Sequence, residues 1–242
     1  MNSRMTHTFL GALGAIVATT AIASANTVDV RFVGTGKGQN VKIDLNGSQQ
    51  NVFAGQLKHE FSDGTGIGAS ISGMHITFCT DLMNYVTSSK KEYEVVPLYD
   101  APDPAMGVAR AEAIRDMYSF AAGSQLLSSA DNAFAAAFQI AIWEVAYDFL
   151  PGIGRSSLDV TNGDFAATRT NGAQLSSAVL GHLNNLFDSI GTFNRSIDPG
   201  PSIMAVRSDD HQDQIVIVPM PAPSLLAGAG LLGIASIRRR RA

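Results

Sequence analysis

Residues 135–149, AAAFQIAIWEVAYDF, have the length of a helix and almost no polar side. A helix that is apolar all round belongs in the middle of a domain, packed on several faces. Gln139 sits within it among Phe138, Ile140, Ile142, Trp143 and Val145. An unpaired side-chain amide in such surroundings costs on the order of 1 to 3 kcal/mol. Gln139 is therefore expected to have a partner or a reaction. Upstream, Ser128 and Asp131 give a capping-box pattern, and Pro151-Gly152 ends the segment.

On either side of this helix the pattern changes. From Asn26 to about Tyr99 it is strand-like: 28–32 and 41–45 alternate, Gly-rich stretches separate apolar runs at 51–61 and 74–79, and 92–96 reads as another strand. Gly34-Thr-Gly-Lys-Gly38 has the glycines of a phosphate loop without the following Ser or Thr, so a hairpin turn is expected. Asp103-Pro104 predicts a helix start, with Ile114, Met117, Tyr118 and Ala121 on its apolar face. A third helix is expected over about 173–190, and short strands over 203–206 and 214–218. Strands, then helices, then strands predict an α+β domain: a β-rich sandwich or barrel-like part carrying an inserted three-helix part.

The 242 residues, 45% hydrophobic, suit one domain with signals at its ends. Arg4, an apolar run from Phe9 to Ile22 and Ala23-Ser24-Ala25 have the order of a secretory signal peptide, so residues 1–25 are expected to be removed. At the other end, Val218-Pro219-Met220-Pro221-Ala222-Pro223 precedes an apolar run closed by Arg238, Arg239, Arg240 and Arg241. That run is shorter than a comfortable membrane span, although arginine snorkelling extends it, and the basic end is expected on the cytoplasmic side. Residues 218–242 resemble the PEP-CTERM sorting signal in its Val-Pro-x-Pro-Ala variant, with Met220 where the commoner form has glutamate. The resemblance implies an exosortase partner, a transient inner-membrane anchor in a Gram-negative bacterium, and delivery to the cell surface, exopolysaccharide or biofilm matrix. Residues 26–217 would be the working domain. Over 26–221 twelve basic residues face twenty-one acidic ones, a balance of minus 9, which disfavours nucleic acid as a partner.

Cys79 is the only cysteine, so an internal disulfide is excluded in an exported chain. A strand end such as Met74-His-Ile-Thr-Phe-Cys79 is a natural place for a small inert buried residue, and an intermolecular disulfide is a further alternative. Phe78-Cys79-Thr80-Asp81-Leu82, taken with Phe138-Gln139-Ile140-Ala141-Ile142-Trp143-Glu144, resembles the paired motifs of bacterial surface thioester domains, the TQxA family. Phe138 stands where that signature has threonine. The resemblance implies an intramolecular thioester between Cys79 and Gln139 near the junction of a β-rich and a helical part. Phe78, Phe138 and Trp143 would shield the bond, and Asp81, Trp143 or Glu144 would assist it. The chain would be an adhesion or crosslinking protein that captures a lysine amine or a hydroxyl, not a turnover enzyme, and no cofactor is implied. The alternatives are a passive matrix protein with an inert Cys79 and a cysteine hydrolase using His75 or His182. Asp44-Leu-Asn-Gly47 lacks the later ligands of a calcium loop, Asp209–Asp213 reads as a solvated loop, and the histidines show no metal-ligand spacing.

Overall fold

The computed structural model describes residues 25–102, 104–122, 129–193 and 202–218. The proposed signal peptide up to Ser24, Asp103, Ser128 and the sorting signal beyond Val218 lie outside the described residues. Among the described residues there are seven strands and three α-helices: β1 (Thr27–Leu45), β2 (Ser48–Ser62), β3 (Gly73–Cys79), β4 (Lys91–Pro97), α1 (Val108–Ala121), α2 (Asn132–Asp148), β5 (Phe165–Arg169), α3 (Ser177–Asp188), β6 (Ile203–Arg207) and β7 (Gln214–Ile217). The architecture is α+β, and all pairings are antiparallel.

Strand order runs β2-β3-β7-β6-β4-β1, and β1 pairs back with β2, so six strands close into a barrel. The length of β1 makes closure possible. Thr27–Val30 pair with β4, while Val41–Leu45 on the same edge pair with β5, which lies outside the ring. Alternation along the strands then separates two cores. Val28, Val30, Phe61, Tyr93, Val95, Val206 and Val216 fill the barrel. Val41, Ile43, Leu45, Phe78, Ile203 and Ile215 face the helices.

Gly34–Gly38 is not a hairpin turn but the middle of β1, where the register against β2 shifts twice. The two strands approach so closely there that a Cβ on Gly38 would fall 2.4 Å from the Ala54 carbonyl oxygen, and one on Gly55 would fall 2.3 Å from that of Lys37. The glycines permit a bent, continuous strand where the composition suggested a break. The actual hairpin is Asn46-Gly47, with φ of 51° and 83°, as a tight two-residue turn requires. Asp44 serves that turn by accepting from the Gly47 N–H at 2.8 Å.

Helix boundaries also differ from the sequence reading. α1 starts at Val108 after Gly107, not at Pro104. The N-cap of α2 is Asp131 itself, whose carboxylate accepts from the Phe134 N–H at 2.7 Å. α3 is shorter at both ends than expected, with Ser176 as its cap. β5 lacked a sequence signal because Phe165-Ala-Ala-Thr-Arg169 is short and weakly alternating. Helix α2 is central, packing on β1 and β2 of the barrel wall, on β5 beside it, and on α1 and α3. Every residue from Phe134 to Ala146 is buried, so its apolar circumference is matched by protein on all sides.

Candidate functional site

Strand β3 ends at Cys79 just where it meets the middle of α2. Its pairing with β7 covers only Phe78 with Ile215 and Cys79 with Gln214. Gln139, fully buried, completes the hydrogen bonding there. The Cys79 N–H donates to Gln139 Oε1 at 2.9 Å, and Gln139 Nε2 donates to the Cys79 carbonyl oxygen at 2.8 Å. The side-chain amide thus clasps the main chain of Cys79 from both ends, as a neighbouring strand would. Two buried backbone groups are satisfied by one side chain.

The sulfur belongs to a second, side-chain network. Cys79 S–H donates to Gln212 Oε1 at 3.0 Å, and Gln212 Nε2 donates to the Asp81 carbonyl oxygen at 2.9 Å. Gln214 Nε2 approaches the sulfur at 3.7 Å. Behind it, Thr77 Oγ1 donates to Gln214 Oε1 at 3.1 Å, and His59 Nδ1 lies 2.8 Å from Thr77 Oγ1. Since the threonine proton is committed to Gln214, His59 carries its proton on Nδ1. Burial holds His59 neutral, pulling its pKa down to about 4. Burial likewise pushes the Cys79 thiol up to about 12, with a nearby Asp81 charge adding to the rise and the Gln214 contact opposing it.

Of the residues singled out from sequence, Cys79, Gln139 and Trp143 converge. Phe78 and Phe138 stand behind them, with ring centroids 4.9 Å apart and Tyr118 edge-on to both, so they seal the junction from the α1 side. Trp143 packs on Phe165 and lines a groove of about 260 Å³ that also reaches Cys79 and Gln212. Its indole N–H is buried without a hydrogen-bond partner.

Asp81 and Glu144 occupy other posts. Asp81 Oδ1 accepts from the Met83 N–H and, at 3.1 Å, from the Asn84 N–H, folding the loop after β3. Glu144 accepts from the Asp159 N–H at 2.6 Å and so anchors the loop after α2, and its other oxygen has no partner. Burial raises its pKa to about 8. Of the two histidines offered for a hydrolase, His75 contacts the Ser72 carbonyl and the Phe61 ring, and His182 packs against Phe134. Neither hydrogen-bonds Cys79.

Gln212, Gln214, Thr77 and His59 were not found from sequence. Gln214 carried a signal, since it occupies an inward position in alternation with Val216, the same anomaly that marks Gln139. His59 and Thr77 likewise share a strand face with Phe61 across the β2–β3 ladder. Among the described residues no group of three or more His, Cys, Asp or Glu could hold a metal ion, and no helix is long and apolar enough to cross a membrane.

No protein family model matches the chain, and no curated protein matches it. Among solved structures, the N-terminal thioester domain of fibronectin-binding protein SfbI from Streptococcus pyogenes is similar over 86% of this chain and 100% of that one, with 13% identity and a TM-score of 0.38. A likeness that distant assigns no residue a role.

Proposed function

We propose that this chain forms an internal thioester between Cys79 and Gln139 and uses it once to bond covalently to a nucleophile on a target, as an exported adhesion or crosslinking protein. The observation that carries the reading is the two-point clasp of the Gln139 amide on the main chain of the one cysteine. It holds the carboxamide against the residue whose sulfur would attack it, and such positioning can supply up to roughly 7 to 11 kcal/mol of a barrier. As sulfur adds to the amide carbon, charge develops on Oε1. The Cys79 N–H at 2.9 Å already points there, so the residue brings its own oxyanion donor.

The step balances without a co-reactant: the Sγ–Cδ bond forms, the Cδ–Nε2 bond breaks, and the thiol proton leaves with ammonia. A thiol whose pKa is near 12 yields little thiolate at neutral pH, so bond formation is expected to be slow. One event per molecule is enough, because the acyl group is stored rather than turned over. The aromatic wall of Phe78 and Phe138 keeps water from it.

The same burial of the thiol favours a second reading, a passive matrix protein with an inert Cys79. Intact-mass measurement separates the two. The thioester reading expects a deficit of one ammonia, a thiol that resists alkylation, and methylamine addition at Gln139 that frees it. Cys79→Ala and Gln139→Ala should each abolish the deficit, whereas full mass with an unreacted amide supports the passive protein. For the termini, the reading is export directed by residues 1–25 and exosortase-dependent sorting directed by Val218–Ala242, with passage through the inner membrane to the cell surface or matrix. A strain lacking the exosortase should retain an unprocessed form, and normal release from it would overturn that part.

A further inference from the structure

We propose that the groove beside Cys79 admits a neutral saccharide and that the Gln139 acyl group is transferred to one of its hydroxyls as an ester. This rests on the thioester reading above and names the nucleophile class. The groove, about 260 Å³, holds the volume of roughly nine waters, the scale of a single sugar ring. None of its fourteen lining residues is Asp, Glu, Lys, Arg or His. Its polar groups are amides and hydroxyls instead, with Gln50, Asn51, Asn84 and Gln212 set among the rings of Tyr85 and Trp143.

Those groups match a polyol. Amides both donate and accept, as sugar hydroxyls do, and Tyr85, 74% exposed, offers an open ring at the groove. Trp143, one turn after Gln139 on α2, contributes its ring to the groove wall that also holds Cys79. An ammonium finds the opposite conditions. A lysine is protonated at neutral pH, and the groove has no carboxylate to hold the charge or take the proton before attack. The nearby Asp81 carboxylate is turned into its own loop, on the Met83 and Asn84 N–H groups.

The transfer is balanced. The hydroxyl oxygen bonds to the Gln139 acyl carbon, the carbon–sulfur bond breaks, and the hydroxyl proton ends on Cys79 Sγ. Nothing is oxidised or reduced. Burial makes the released sulfur a strong proton acceptor, which suits a nucleophile that must lose its proton during attack.

The test uses the purified full-length protein at neutral pH with equal concentrations of isomaltotriose and Nα-acetyl-lysine, read by intact mass and peptide mapping. The expected product is a trisaccharide ester at Gln139, released by hydroxylamine, in roughly tenfold excess over the lysine amide. Tyr85→Ala, at an exposed ring on the groove, should lower the rate with isomaltotriose several-fold relative to the rate with methylamine. A thioester that yields mainly the lysine amide, or only the free acid from water, overturns the saccharide assignment and leaves the thioester standing. A Tyr85→Ala protein with an unchanged ratio also counts against it. Full mass with an unreacted amide at the outset overturns both readings.

Discussion

Inside the barrel, Val28, Val30, Phe61, Val206 and Val216 enclose a core bordered by a row of neutral polar side chains, His59, Thr77 and Gln214, which satisfy one another in sequence. On the helix side, the buried polar groups of α2 reach for backbone instead: Gln139 for Cys79, and Glu144 for Asp159. That layer also retains unused capacity, in Trp143 Nε1 and Glu144 Oε2. The barrel's polar row thus ends on the Cys79 sulfur through Gln214, while the helix layer leaves two buried polar atoms unpaired. The single reaction proposed above would draw on both, a rigid frame and a junction that holds the two residues close.

Four measurements test that contrast. The largest effect is expected from Phe138→Ala, which opens the ring cluster between β3 and α2 and should cost about 3 to 5 kcal/mol in denaturant unfolding. A loss below about 1 kcal/mol would mean that the helix layer is not a packed core. Next is Glu144. Its proton is held more tightly in the folded state, about 8 against 4.5, so stability falls as pH rises through that window. Glu144→Gln should flatten the fall, keeping the acceptor for Asp159 without the charge.

His59 responds in the other direction. Its folded pKa, about 4, lies below the ordinary 6.5, so the unfolded chain takes up the proton first and stability drops as pH falls between those values. The expected loss is smaller than at Glu144, because the pKa gap is narrower, and His59→Gln should remove most of it. If both variants flatten the same limb of the pH profile, the two cores do not differ as described. The smallest effect is expected at the barrel's outer wall, where Arg31 and Glu60 pair while nearly half exposed. A double-mutant cycle there should give less than about 1 kcal/mol, and less again in high salt.

Several of these features were legible before any coordinates. An apolar helix that cannot face water had to be central, and α2 is buried on all sides because Phe138, Ile142 and Val145 leave it no polar face. Gln139 announced a partner for the same reason. Asp81 and Glu144 looked equally eligible as helpers of Cys79, because proximity in sequence says nothing about which way a side chain turns. Asp81 folds back on its own loop, and Glu144 points to Asp159.

Sequence by itself determined the α+β class, the order of the three helices and of the strands other than β5, and the two residues, Cys79 and Gln139, whose types and settings demanded an explanation. These are local properties: periodicity, solvation cost and the chemistry of single side chains. Tertiary structure alone decided that β1 bends through Gly34–Gly38 and closes a barrel with β2, because ring closure depends on pairings between strands far apart in the chain. It also decided that Gln212, from the loop before β7, would accept the thiol proton of Cys79, 133 residues away. Such contacts are set by the register of β3 against β7, a long-range pairing that no local pattern specifies.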